Sequence, residues 1–208
     1  MNQTNTLHKK WHLHTTAAIT ITITFAFAFL SLAAPAAEAA SGQGGDITRT
    51  EVLARAQNWY DRGVQYDQQA EASDVDGAHD YRTDCSGLVA MAWHLPSTDY
   101  NTGSLDQRSV TSQIDRDDLL PGDALDNTDD GHVVIFTGWV VKGAGTFTYI
   151  QLANPRADMA KGTASFDSPL LAGLPTANYV ALRYNHIVDD SASTRTPVGY
   201  PWRAPMSW

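Results

Sequence analysis

Tyr81-Arg82-Thr83-Asp84-Cys85-Ser86-Gly87-Leu88-Val89 contains the only cysteine of this 208-residue chain. A polar stretch precedes it, and an apolar run follows through Met91, Ala92 and Trp93. Asp84 is a residue type that caps helices, so a helix is predicted to open at Cys85. Backbone N–H groups and the macrodipole at a helix N-terminus favour the thiolate, which is the nucleophilic form of a thiol. Further on, Gly131-His132-Val133-Val134-Ile135-Phe136 puts a histidine at the head of a strongly apolar, β-branched run, which reads as a strand. A cysteine opening a helix and a histidine opening a strand are two parts of an acyl-transfer site.

The first residues read as a targeting segment. Lys9 and Lys10 form a basic region, residues 17–32 an apolar one, and Ala37-Glu38-Ala39 an A-x-A cleavage site, the three parts of a secretory signal peptide spanning residues 1–39. The product is expected to be secreted, extracellular or wall-associated, with no membrane attachment after cleavage. Removal of the leader leaves 169 residues, enough for one domain with a real core. It also removes Lys9, Lys10 and Glu38, leaving 12 Lys+Arg against 22 Asp+Glu and a net charge of −10. So acidic a chain is a poor ligand for nucleic acid or anionic lipid, and it gains nothing electrostatically from an anionic wall. One cysteine in an exported chain cannot close an internal disulfide. That leaves intermolecular pairing, a free reactive thiol or a buried inert one, and the flanking Asp84 and Ser86-Gly87 favour the reactive thiol.

Residues 40–47 are Gly-rich and read as a linker. Thr48-Arg49-Thr50-Glu51 matches a capping box ahead of Val52, Leu53, Ala56, Trp59 and Tyr60, a helical spacing that Gly63 ends. Residues 68–80 are polar and acidic and read as a loop. The cysteine helix is predicted to end near Leu95-Pro96, and residues 97–118 read as loop with short helical turns. A Pro121-Gly122 turn, a short strand at Ala124-Leu125 and an acidic turn at residues 127–131 follow. Residues 132–141 and 146–153 read as a hairpin closed by Gly143-Ala144-Gly145, and residues 178–184 as a last strand. A tail with Pro197, Pro201, Pro205, Tyr200, Trp202 and Trp208 occupies residues 189–208. Helices first and mostly antiparallel strands after predict an α+β fold. Asp126, Asp129 and Asp130 lack EF-hand spacing and read as a solvated acidic turn. His79 and His94 have no partners at metal-ligand spacing and read as surface or helix-side residues, and His186 as structural.

The blocks Asp84-Cys85-Ser86-Gly87-Leu88-Val89, Leu120-Pro121-Gly122-Asp123 and Gly131-His132-Val133, in this order, resemble the successive motifs of the NlpC/P60 cysteine peptidases. Trp59 and Gly63-Val64-Gln65-Tyr66 resemble the segment that precedes the cysteine in that family. The likeness covers residues 48 to 184, within a catalytic domain expected over residues 48–188. It implies a papain-like domain, N-terminal helices carrying Cys85 packed on an antiparallel sheet carrying His132. The implied reaction is hydrolysis of bonds next to D-γ-glutamyl in peptidoglycan stem peptides, by a monomer with neither metal nor cofactor. Cys85 matches the nucleophile and His132 the general base. Gln151, on the following strand, is the best placed residue to orient His132, with Asn154 the alternative. Tyr66, Asp84 and Ser86 match positions that hold a free amine of the stem peptide, although Asp84 and Ser86 also suit a plain helix cap. Two features depart from the family pattern: a long acidic stretch between Tyr66 and Cys85, and no glycine pair ahead of the Asp-Cys block. Two other readings use the same scaffold. One is an acyltransferase or amidase on a different substrate, the other a non-catalytic wall-binding or toxin-like module.

Overall fold

The computed structural model describes residues 40–96 and 99–190. The leader and nearly all of the tail therefore lie outside the described residues. In chain order the elements are β1 (Ile47–Thr48), α1 (Arg49–Arg62), β2 (Asp67–Ser73), β3 (Asp80–Thr83), α2 (Cys85–Ala92), α3 (Thr102–Leu105) and β4 (Thr111–Ile114). They continue with β5 (Ala124–Asn127), β6 (His132–Val141), β7 (Thr146–Leu152), β8 (Met159–Ser165), β9 (Leu170–Leu171), β10 (Leu174–Pro175), β11 (Val180–Tyr184) and β12 (Ile187–Val188). Six strands form one sheet in the order β4-β11-β5-β6-β7-β8, and every pairing in it is antiparallel. The class is α+β, with few helices beside a mostly antiparallel sheet.

The alternation of β6 explains the layers. Val133 and Ile135 point to the face that packs on α1 and α2, and Val134 and Phe136 point to the other. On the helix side they join Trp59, Leu88, Met91 and Trp93. On the far side they meet Phe147, Tyr149, Leu171 and Tyr179. All eight residues of α2 are buried, as expected of a helix that is apolar all round. Burying one side chain such as Leu88 contributes about 1.5–3 kcal/mol, so α2 is fixed by packing rather than by its short length.

α1 begins and ends where its sequence signals stand. Thr48 accepts from the backbone N–H of Glu51, and Gly63 closes the helix with φ 62°. The capping box is only half formed. The Glu51 carboxylate turns away from Thr48 and accepts from the N–H and Oγ–H of Ser41. That contact also changes the picture of residues 40–47. Gly44 N–H donates to the His94 carbonyl at 2.7 Å, and buried Ile47 pairs in parallel with Ile187. A stretch expected to be a linker is thus tied along the domain.

Two further expectations are refined. Residues 68–80 are not a plain loop: β2 and β3 form an antiparallel hairpin. Its β2 strand, Asp-Gln-Gln-Ala-Glu-Ala-Ser, has no buried residue, so it lacks the apolar alternation that marks a strand. β8 gave no sequence signal for a related reason. It is a half-exposed run of small and polar residues that β7 holds through backbone pairing. His94, expected at the surface or on the helix side, is buried in a left-handed turn (φ 54°) just after α2. Its Nδ1 lies 3.0 Å from Ser41 Oγ, and its Nε2 faces Asp74 at 3.7 Å.

Candidate active site

The site lies where the start of α2 meets the start of β6. Cys85 is the first residue of α2 and is 6% exposed, and His132 opens β6 at 7% exposed. The thiol donates to the carbonyl oxygen of Gly131 over 3.8 Å. The N–H of Val133 points back at the sulfur. The two peptide groups that flank His132 therefore hold Sγ from both sides.

His132 Nε2 lies 2.7 Å from Gln151 Oε1 on β7. An amide oxygen only accepts, so Nε2 carries the hydrogen and the lone pair is left on Nδ1. The alternative Asn154 is engaged elsewhere, its Oδ1 accepting from the N–H of Arg156 at 2.9 Å. A cleft of about 330 Å³ opens on this pair, lined by Tyr66, Asp130, His132, Gln151, Asn154 and Ala172 among others.

The helix start was expected to favour a thiolate. Burial outweighs it. Desolvation, reinforced by the Asp84 charge, pushes the Cys85 thiol up to about 11, against the smaller opposing effects of the Val133 and Ser86 N–H groups. Burial also lowers the pKa of His132, partly offset by its bond to Gln151. Both groups are therefore neutral near pH 7, a thiol and an imidazole rather than a thiolate and an imidazolium.

Asp84 and Ser86 are buried and occupied. Asp84 Oδ1 accepts from Gly87 N–H at 2.8 Å, which caps α2, and from Ser86 Oγ at 3.1 Å. Its Oδ2 accepts from Arg82 Nε. Arg82 Nη2 donates to Ser86 Oγ at 2.9 Å and to the Tyr100 carbonyl at 2.8 Å. Sequence reading did not single out Arg82. The signal was its position two residues before Asp84 on an extended segment, which puts both side chains on one side. Tyr66 lines the cleft, and its N–H is held by Asp158 Oδ1 at 2.9 Å. Gly87 is required by contact alone. A Cβ there would stand 1.7 Å from the Arg82 carbonyl oxygen, so any side chain would push the start of α2 off β3.

Asp126 departs from the solvated turn expected for it. It shares the helix-facing side of β5 with Ala124 and is fully buried. Only Oδ2 has a partner, Thr128 Oγ1 at 3.3 Å, and Oδ1 has none. Desolvation pushes its pKa up to about 7. Asp129 and Asp130 are exposed. Among the described residues, no group of three or more His, Cys, Asp or Glu side chains converges as a metal site would require.

Comparisons of the chain with protein-family models, with curated proteins and with solved structures each gave no match.

Proposed function

We propose that this chain is a secreted cysteine peptidase of the NlpC/P60 type, with a papain-like arrangement of helix and sheet, acting on stem peptides of bacterial peptidoglycan. One observation carries the reading. A lone cysteine at the start of a buried helix abuts the first turn of a strand whose histidine is oriented by an amide oxygen at 2.7 Å. In this reading His132 Nδ1 takes the thiol proton as Sγ attacks the carbonyl carbon. The Cys85 N–H at the helix start faces the developing oxyanion. The C–N bond then breaks, and the imidazolium gives its proton to the leaving amine. A thioacyl-enzyme remains. His132 next takes a proton from water, the hydroxide adds to the thioester, and the acid leaves as the thiol is re-formed. Gln151 keeps the same tautomer available in both halves.

The occupied state of Asp84 supports a second reading. With Arg82 against Asp84 and Ser86, the pocket expected for a free stem-peptide amine already holds a guanidinium. This favours an acyl donor without such an amine, and hence an amidase or acyltransferase on another substrate. Digestion of purified peptidoglycan separates the two. Mature protein and Cys85→Ala are compared, with products read by mass spectrometry. New stem-peptide fragments from the wild type alone support the peptidase. An inert wall, with Cys85 still acylated by a simple activated ester, would overturn it in favour of the second reading.

A further inference from the structure

We propose that Asn127 is a positioning residue for Cys85 and His132, acting through the turn of residues 128–131. The inference rests on the thiol–imidazole reading above. Asn127 ends β5, opposite His132 in the ladder, and is fully buried. Every polar group it offers to the turn is used. Its Nδ2 donates to Asp130 Oδ2 at 2.9 Å, its Oδ1 accepts from Asp130 N–H at 3.0 Å, and its carbonyl accepts from Gly131 N–H at 2.9 Å. Asn178, just ahead of β11, adds a second donor to Asp130 Oδ2 at 3.1 Å.

Beyond Asn127, the turn is held by Asn178 on Asp130 and by the longer Thr128–Asp126 bond of 3.3 Å. Residues 128–131 are all exposed, and no atom lies within 4 Å of where a Gly131 Cβ would stand. Packing therefore does not fix Gly131, whose φ of 72° is the left-handed conformation that closes the hairpin. Gly131 presents its carbonyl to Sγ, and the next residue is His132. The side chain of Asn127 thus sets where the strand's first two peptide groups meet the thiol. A misplacement of about 1 Å at such a site costs on the order of 10²-fold in rate.

The test uses p-nitrophenyl acetate in single-turnover acylation of the mature protein. Sγ bonds the acetyl carbon, p-nitrophenolate departs, and His132 takes the thiol proton. This readout needs no natural substrate. Asn127→Ala is expected to acylate at least tenfold more slowly than wild type. Asn127→Asp is expected to be slow at pH 8, where two carboxylates oppose each other, and to recover toward wild type at pH 5, where a proton bridges them. Asp126, Asp129, Asp130 and His132 are further ionisable groups beside the turn, so each variant is compared with wild type at the same pH. Because the second variant is judged by recovery, a general loss of folding does not imitate the expected result. If His132→Ala is slow while Asn127→Ala matches wild type, or if Asn127→Asp fails to recover at pH 5, the positioning role is wrong and the site reading stands. If His132→Ala itself acylates at the wild-type rate, the thiol–imidazole reading has failed instead.

Discussion

The sulfur of Cys85 lies 3.8 Å from the carbonyl oxygen of Gly131, the residue that leads into His132. In the resting site the thiol proton is therefore directed at a peptide carbonyl, while the lone pair of His132 is on Nδ1. Burial favours this neutral arrangement, because separating a thiolate from an imidazolium creates two charges in a poorly solvated place.

The first prediction concerns the pH dependence of the thiol. A group with its pKa near 11 is ionised to the extent of roughly 10⁻⁴ at pH 7. Alkylation of Cys85 by iodoacetamide is expected to be slow at neutral pH and to rise about tenfold per pH unit between 8 and 10. A rate that is already at its plateau between pH 5 and 7 would show a preformed ion pair and contradict this account. Turnover should behave differently, because it needs only neutral His132. Since the pKa of His132 is lowered, the acid limb of kcat/KM should fall below the usual imidazole value of about 6.5.

Gln151 provides the second prediction. Removing its oxygen in Gln151→Ala frees the imidazole to rotate and to place its hydrogen on the wrong nitrogen. A fall in kcat of about 10–100-fold is expected, with KM nearly unchanged. Gln151→Glu keeps the acceptor and adds a negative charge beside the ring. The charge stabilises the imidazolium, so the pKa of His132 rises and the acid limb moves to higher pH. An unmoved limb in a pH–rate profile of Gln151→Glu would mean that Gln151 does not touch the base during catalysis.

A third prediction follows from Asp126. Its pKa is raised from the ordinary carboxyl value to about 7 in the fold. The unfolded chain releases this proton near pH 4 and the folded chain holds it to about 7, so the folded state binds more protons between those values. Stability is fully present below the unfolded pKa and declines as pH rises through the folded one. The loss is about 4 kcal/mol at most, from roughly three pKa units at 1.36 kcal/mol each. Asp126→Asn carries no such proton and should unfold at a higher temperature than wild type at pH 8, with the gap closing at pH 4. Parallel melting curves for the two proteins across this range would show that Asp126 is not a buried proton-holding carboxyl.

What the sequence revealed, and what it concealed, follows from where each signal is stored. The helices at Arg49 and Cys85 carry their caps beside their apolar faces, so Thr48, Gly63 and Asp84 mark them locally. β6 and β7 are legible because β-branched and aromatic residues line both faces of a buried pair. Cys85, His132 and Gln151 stand at the ends of such elements, and the His132–Gln151 contact and the approach of Cys85 to Gly131 follow once the elements are placed. β2 and β8 are polar edge strands held by backbone pairing, and side-chain periodicity is silent about them. The arginine on Asp84 and the clasp of Asn127 on Asp130 are side-chain choices made only after folding. The ionisation of Cys85 divides the same way: a helix start is written in the sequence, but the depth of burial that raises the thiol is not.

The last prediction concerns the Pro-Gly-Asp turn, a motif in the sequence whose structural work is an ion cluster. Asp123 is fully buried and accepts from Arg49 Nη1 at 3.0 Å, Arg183 Nε at 3.0 Å, Arg183 Nη2 at 2.7 Å and Leu120 N–H at 2.8 Å. Arg49 also bonds the Pro121 carbonyl and Asp189, so this one carboxylate joins the start of α1, the turn before β5, and β11. Asp123→Ala takes the buried charge partner from Arg49 and leaves it only the exposed Asp189; breaking a buried pair costs about 3–5 kcal/mol, which Asp189 offsets in part. Arg183→Leu leaves Asp123 paired with Arg49 and removes the more exposed partner, so its cost should be clearly smaller. Urea unfolding of both variants, followed by tryptophan fluorescence, gives the two values. Since Trp93 Nε1 donates to the Gly122 carbonyl at 2.8 Å, the same loss should reach the back of α2 and slow acylation of Cys85. An Asp123→Ala unfolding free energy within about 1 kcal/mol of wild type would show that the arginines re-solvate and that the cluster is dispensable to the fold.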